Sequence, residues 1–255
     1  MDTWIGSRRM RLTLATYNIH GCIGRDGRYA PERIRDVIRE LDADVVAVQE
    51  IDAPERHGLE LAYWLGEESR LRVIAGPTLL ERKGHHGNAV LTRCQYGDIR
   101  LLDLSRPRRE PRGAIDLDLR CNGATIQVIA THLGLRTRER RIQVQRLLER
   151  VGQNCILMGD FNEWWLWGFP LRRLKAVFAR SPALPTFPSA RPVFALDRIW
   201  IKPPASFVSI GVHRTRMSAI ASDHLPLKAV VEWPYQETEP APNNVLLAHA
   251  PSSEQ

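Results

Sequence analysis

The stretch "NCILMGDFN", residues 154–162, decides the architecture. Its apolar run Cys155–Met158 is too short for a helix and ends at a glycine, so it reads as a strand buried on both faces. Such a strand needs cover on each side, which an α/β fold supplies. Immediately past the apolar run stand Asp160 and Asn162. The same form recurs upstream. "DVVAVQE" (44–50) is a short apolar strand closing on Glu50, and "RLTLATYNI" (11–19) alternates before reaching Asn18 and the Gly-rich "HGCIGRDGR".

Helical spacing separates these strands. "PERIRDVIREL" (31–41) opens on Pro31 and sets Ile34, Val37, Ile38 and Leu41 on one stripe. "TRERRIQVQRLLERV" (137–151) does the same with Val144, Leu147, Leu148 and Val151, and "FPLRRLKAVF" (169–178) reads as a further helix. "GNAVLTR" (87–93), "GAIDLDLRC" (113–121) and "ATIQVIATHL" (124–133) read as strands, the last two joined as a hairpin at Asn122-Gly123. "LDRIWI", "FVSIGVH" and "PLKAVVEW" close the sheet. One domain is expected over residues 1–234, followed by an acidic, Pro/Glu/Asn/Ser-rich tail over 235–255 with too few hydrophobic residues to fold.

Composition narrows the class. The 255 residues are 44% hydrophobic and 25% charged, as in ordinary globular proteins. No run approaches the roughly 18 apolar residues of a transmembrane helix, and the N-terminal stretch lacks the apolar core of a secretory signal. Met10 stands just before the first strand and could serve as the start. The cysteines (Cys22, Cys94, Cys121, Cys155) show no CxxC spacing, so no zinc site and a reduced, cytoplasmic chain are expected. Net charge is +7, and residues 1–228 hold all 36 Lys and Arg against 25 acids. A basic body suits polyanions: nucleic acid, an anionic membrane or a phosphorylated small molecule.

Several strands thus end in polar signatures: "TYNIHG", "VVAVQE", "IATHLGL", "LMGDFN", "LDRIW" and "SDHLP" (222–226). Strand ends of an α/β sandwich gather at one edge, so Asn18, Glu50, His132, Asp160, Asn162, Asp197, Asp223 and His224 converge into an oxygen-rich pocket with two imidazoles and no thiolate. That donor set suits Mg²⁺ or Mn²⁺. A cation, an oriented water and an imidazole are together equipped to hydrolyse a phosphate ester. Taken singly, Asn18 reads as a turn residue, Asp160 as a loop cap, Asp197 as a surface acid and His132 as a structural histidine. Their coincidence at strand ends overrides those readings together. His20, His57, His85, His86 and His213 have no such support, with His85-His86 placed at most on the rim.

With "TYNIHG", "QE", "GNAVLTR", "THLGL", "GDFNEW", "LDRIW" and "SDHLP" in order from residue 16 to 226, the sequence resembles the endonuclease/exonuclease/phosphatase superfamily of metal-dependent phosphohydrolases. The resemblance implies a four-layer α/β sandwich, two mixed β-sheets packed face to face with helices outside. It also implies roles: Glu50, Asn18 and Asp223 around Mg²⁺ (Mn²⁺ substituting), Asp160 and Asn162 on the attacking water, His224 on the scissile phosphate oriented by Asp197, and His132 on a phosphoryl oxygen. "TFPS" before "LDRIW", together with "THLGL…ERR", is similar to the small bacterial branch, whose members are commonly described only as metal-dependent hydrolases.

Substrate stays open at this stage between a lipid-type or other small phosphodiester or phosphomonoester and a DNA or RNA nuclease activity. A catalytically silent polyanion-binding module is the reading from another class. The expected partners are an anionic phosphoester, nucleic acid or a peripheral membrane surface, for a monomeric chain. "SRPRREPRG" (105–113) is read as a basic rim through Arg106, Arg108, Arg109 and Arg112. In "EWWLWGF" (163–169), Trp164, Trp165 and Trp167 could stack a base, enter a membrane interface or pack in the core. One exposed and two buried indoles are expected.

Overall fold

The computed structural model describes residues 8–52, 58–80, 87–121, 124–179 and 181–235. Strand β1 (Arg8–Asn18) pairs in parallel with β2 (Val45–Ile51), joined by helix α1 (Pro31–Leu41). Around this unit come α2 (Gly58–Ser69), β3 (Arg72–Ala75), the short α3 (Pro77–Leu80) and β4 (Gly87–Thr92). The second half holds β5 (Gln95–Asp103), β6 (Gly113–Cys121), β7 (Ala124–His132), α4 (Thr137–Leu148), β8 (Cys155–Asp160), α5 (Phe169–Lys175) and β9 (Asp197–Ile201). β10 (Ser206–Val212), α6 (Ser218–Ala221) and β11 (Leu227–Tyr235) return to the first half.

The strands form a six-stranded sheet, β10-β11-β1-β2-β4-β3, and a five-stranded sheet, β5-β6-β7-β8-β9. Each is mixed and has one parallel pair near its middle, β1 with β2 and β7 with β8. Period-two alternation then builds the layers. Leu12 and Leu14 of β1 meet Val128, Ala130, Ile156 and Met158 in the core between the sheets. Ala15 and Tyr17, one step out of phase, pack outward with α1 and α2. On the far side, Ile129, Leu157 and Trp200 pack under α4 and α5. The result is a four-layer α/β sandwich. Each fully buried Leu or Ile at these positions is worth about 1.5–3 kcal/mol.

α1 follows its sequence pattern closely. Ile34, Val37, Ile38 and Leu41 are all buried, Pro31 sits in the first turn, and Asp42 ends the helix in a left-handed conformation. The β6–β7 hairpin pairs Cys121 with Ala124, while its turn residues 122–123 lie outside the described residues. β11 continues through Pro234 to Tyr235, one residue into the expected tail. Its neighbour β10 pairs only as far as Glu232, so Pro234 interrupts no ladder on that side. Residues 236–255, His85, His86 and His57 lie outside the described residues.

The cysteines differ from expectation. Cys94 and Cys121 form a disulfide with Cα atoms 5.7 Å apart, while Cys22 and Cys155 are free and buried. The β5–β6 ladder pairs Gln95 with Arg120, which carries Cys94 to a position opposite Cys121. Paired antiparallel strands create that proximity, and a spacing of 27 residues does not announce it. No helix among the described residues is long and apolar enough to cross a membrane.

Candidate active site

The polar strand ends meet on one rim of the sandwich. Asn18, His132 and Asp160 each continue the register that faces the opposite sheet, so they emerge between the sheets. Glu50 needs more. In β2, Val45 and Ala47 face the inter-sheet core while Val46, Val48 and Ile51 face outward, so simple alternation would turn Glu50 away. A bulge between Val48 and Ile51, with Glu50 at φ 54°, turns its carboxylate back into the rim. The amide of Asn18 then donates to Glu50 Oε1 at 2.9 Å and to Asp160 Oδ2 at 3.1 Å.

Asp160 depends on the glycine before it. Gly159 has φ 147°, and a Cβ there would lie 1.8 Å from the Thr131 carbonyl, so only glycine lets β8 approach β7 this closely. Asn162, at φ 48°, turns the chain back so that its backbone N–H donates to Asp160 Oδ1 at 2.8 Å. Its amide nitrogen lies 3.0 Å from His132 Nε2. The same imidazole nitrogen is 3.5 Å from Asp160 Oδ2 and 3.7 Å from Glu50 Oε1.

The SDH segment is a loop between α6 and β11, which is how adjacent residues can serve one pocket. Ser222 Oγ donates to the Asn18 carbonyl at 2.8 Å and accepts from the His224 backbone N–H at 3.2 Å, tying this loop to the end of β1. His224 Nδ1 is 2.8 Å from Asp197 Oδ2, which also accepts from Thr186 Oγ1 at 2.5 Å. Burial opposes charge on His224, but the Asp197 carboxylate outweighs it and, helped by Asp160 and Asp223, raises its pKa to about 10. The imidazole is therefore a cation at neutral pH. Burial pushes the Asp160 carboxyl up to about 6, with Asp197 adding and the His224 cation opposing.

The structure brings Asn18, Glu50, His132, Asp160, Asn162, Asp197 and His224 together. Glu50, His132 and Asp160 form one group with potential ligand atoms within 4.8 Å of one another, and Asp160, Asp197 and His224 form another. Asp223 is adjacent in sequence but belongs to neither; its Oδ1 lies 3.9 Å from His20 Nδ1. The donor set fits a hard divalent cation. Glu50 and Asp160 share one neutral amide donor, Asn18, so two carboxylate oxygens converge on one point, and thiolates are absent among the described ligands.

Supporting residues to which the sequence assigns no place in the cluster are also visible. Arg112, taken for part of a basic rim, is instead 5% exposed, with Nη1 3.2 Å from His132 Nδ1 and Nη2 donating to Glu110 at 2.8 Å. Arg108 and Arg109 do remain on the surface. One imidazole of the cluster, His224, thus faces a carboxylate and the other, His132, a guanidinium. Thr186 sits inside "TFPS" and Glu163 inside "GDFNEW", motifs that carried the resemblance without assigning either residue a role.

The tryptophan run corrects the expectation of two buried indoles. Trp164, Trp165 and Trp167 are 40%, 59% and 69% exposed. Buried Glu163 anchors the loop by accepting from the Trp165 backbone N–H at 3.2 Å, and the residues that follow swing outward. Trp164 packs edge-on against Phe187 and Phe194, and Phe187 lies 4.8 Å from the His224 ring, so an aromatic wall runs from the surface to the site.

Residues 15–224 match the sequence profile of the Endonuclease/Exonuclease/phosphatase family. The uncharacterized protein YbhP of Escherichia coli (strain K12) is 31% identical over 249 residues, spanning 88% of this chain and 98% of that protein. Among solved structures, an endonuclease/exonuclease/phosphatase from Beutenbergia cavernae superposes with a TM-score of 0.71 at 22% identity, covering 88% of this chain and 72% of that one. The mannosyl-6-phosphatase Bt3783 of Bacteroides thetaiotaomicron gives 0.70 at 19% identity, covering 86% and 99%. At these identities the structural likenesses establish the fold. The profile match and the convergence of strand-end residues together make the chain a member of the endonuclease/exonuclease/phosphatase family.

Proposed function

We propose that this chain is a divalent-metal-dependent phosphoesterase that hydrolyses a phosphodiester or phosphomonoester by in-line attack of water. The observation that carries this reading is the pair of overlapping side-chain groups joined at Asp160, one containing Glu50 and His132 and the other Asp197 and His224. Glu50, with Asn18 beside it and Asp223 acting through water, would hold Mg²⁺, with Mn²⁺ able to substitute. The bound cation would neutralise phosphoryl oxygens.

The remaining steps belong to the chain's own residues. Asp160, fixed by donors from Asn18 and Asn162, accepts the proton of the attacking water, and Asn162 orients that water. His132 donates a hydrogen bond to a phosphoryl oxygen. His224, kept protonated by Asp197, stabilises charge on the phosphate as the leaving oxygen departs. The exposed indoles of the loop after Asn162, with Trp164 packed on Phe187 against the His224 ring, favour a substrate that extends beyond its phosphate, such as a lipid-type ester. A panel of bis(p-nitrophenyl) phosphate, phosphoinositides, phospholipids, plasmid and abasic-site duplex, each with Mg²⁺ and Mn²⁺, tests the reading. Turnover of lipid or small esters supports it; turnover confined to nucleic acid makes the chain a nuclease, and none at all overturns the reading.

A further inference from the structure

A cavity of about 470 Å³ lies beside β9, lined by Leu166, Lys175, Ser181, Pro182, Leu184 and Arg198. It is distinct from the catalytic cluster by the alternation of β9. Asp197, Ile199 and Ile201 face the inter-sheet space, whereas Arg198 and Trp200 face the helix-covered side. Its size falls in the range of small-molecule sites, and its walls are mostly apolar with a few polar groups.

Two of those polar groups, Arg198 and Ser181, hold unsatisfied atoms. Arg198 is 2% exposed, and only its Nη1 has a partner, the Pro182 carbonyl at 3.2 Å. Nε and Nη2, the two nitrogens of the side-on edge that binds oxyanions in a fork, are buried without a hydrogen-bond partner. The Ser181 hydroxyl is likewise buried and unpartnered. No described carboxylate lies within salt-bridge distance of the guanidinium. Burial lowers the Arg198 pKa to about 10 against the opposing pull of Asp197. A buried, unpaired guanidinium is costly, and an anion with two oxygens is its natural complement.

We propose that this cavity is a binding site for a small oxyanion carrying an apolar body. The Arg198 edge and the Ser181 hydroxyl take a phosphate or carboxylate head. Leu166, Pro182 and Leu184 cover the apolar part, and Lys175, held by its bond to the Leu166 carbonyl at 3.1 Å, adds positive charge at the mouth. Leu166 stands between the exposed Trp165 and Trp167, so occupation reaches residues that report by fluorescence.

The test uses the full chain in EDTA, with hexyl phosphate, hexanoate and inorganic phosphate as probes. Hexyl phosphate or hexanoate should raise the melting temperature by several degrees at saturation and shift indole fluorescence, the tighter of the two naming the head group. Inorganic phosphate, which lacks the tail, should bind at least tenfold more weakly. Arg198→Met should bind the alkyl probe at least tenfold more weakly while unfolding at an unchanged or higher temperature without it, because an unpaired buried charge has gone. Ala183→Phe, which fills the cavity from an exposed lining position, should abolish the alkyl advantage with Arg198 intact, and does so even if Arg198→Met does not fold. His224→Ala should retain binding. Equal affinity in Arg198→Met, loss in His224→Ala, or no probe binding at all overturns the proposal.

Discussion

Arg140 of α4 reaches Glu163, just past the end of β8, with Nε 3.2 Å from Oε2 and both side chains almost fully buried. The same guanidinium donates to the carbonyls of Gly134 and Leu135 at 3.3 and 2.7 Å. One ion pair therefore holds together the loop after His132 and the loop after Asn162. Glu163→Gln or Arg140→Met leaves a buried charge unpaired and should cost about 3–5 kcal/mol. Urea denaturation of both single variants and the double variant checks this. Strong coupling is expected, and losses below about 1 kcal/mol would show the pair to be incidental.

The Asp197–His224 pair is expected to set the alkaline limb of the pH–rate profile. A pKa raised to about 10 keeps the imidazolium through neutral pH and loses it as pH rises through that value. Asp197→Asn removes the carboxylate that raises it, so burial then dominates and the limb should move down. His224→Ala should cost more turnover, with the double variant little worse. A pH–rate profile for each variant decides it: an unmoved limb and additive losses would refute the pairing. Asp160, raised to about 6, ionises as pH rises through that value, so the acid limb should fall at or below pH 6 once a cation adds its own lowering.

Much of this architecture was legible because burial writes periodicity into sequence. The α1 stripe and the buried runs ending at Glu50 and Asp160 located the layers and the rim. β5 was not legible, because its face away from β6's core side is largely exposed and its apolar alternation is weak. The candidate cluster was legible as a set of strand-end residues, apart from Asp223, which belongs to neither ligand group. The Glu50 bulge was not, since alternation alone points that side chain outward. Arg112, Thr186 and Glu163 act through contacts between different elements, 20, 11 and 23 residues apart, which no local spacing encodes. The indole exposures failed for a related reason: Glu163, buried in their place, anchors the loop.

Acrylamide should quench the native tryptophan emission strongly, since Trp164, Trp165 and Trp167 are accessible while Trp200 is fully buried. Trp165→Ala or Trp167→Ala should change stability by under about 0.5 kcal/mol, as surface substitutions do. Each should raise KM for a lipid-length ester and spare a small chromogenic one. An unquenchable native protein, or a fall in kcat on the small ester, would contradict the surface role.

Gly159→Ala places a methyl group against the Thr131 carbonyl at a backbone angle that disfavours side chains. Loss of activity with displaced β7–β8 pairing is expected, read by amide exchange at residues 131 and 160. Wild-type exchange protection there would show that the strands relax without consequence.

The central claim is hydrolysis at the Glu50–Asp160 rim, and turnover of bis(p-nitrophenyl) phosphate by wild type and Glu50→Gln across a Mg²⁺ titration tests it most directly. Turnover should require Mg²⁺ or Mn²⁺ and vanish in EDTA. Glu50→Gln should lower it by about 10²-fold or more, matching the several kcal/mol a bound cation supplies, with the melting temperature unchanged. Full turnover in excess EDTA, or activity and stability lost in parallel in Glu50→Gln, would contradict it.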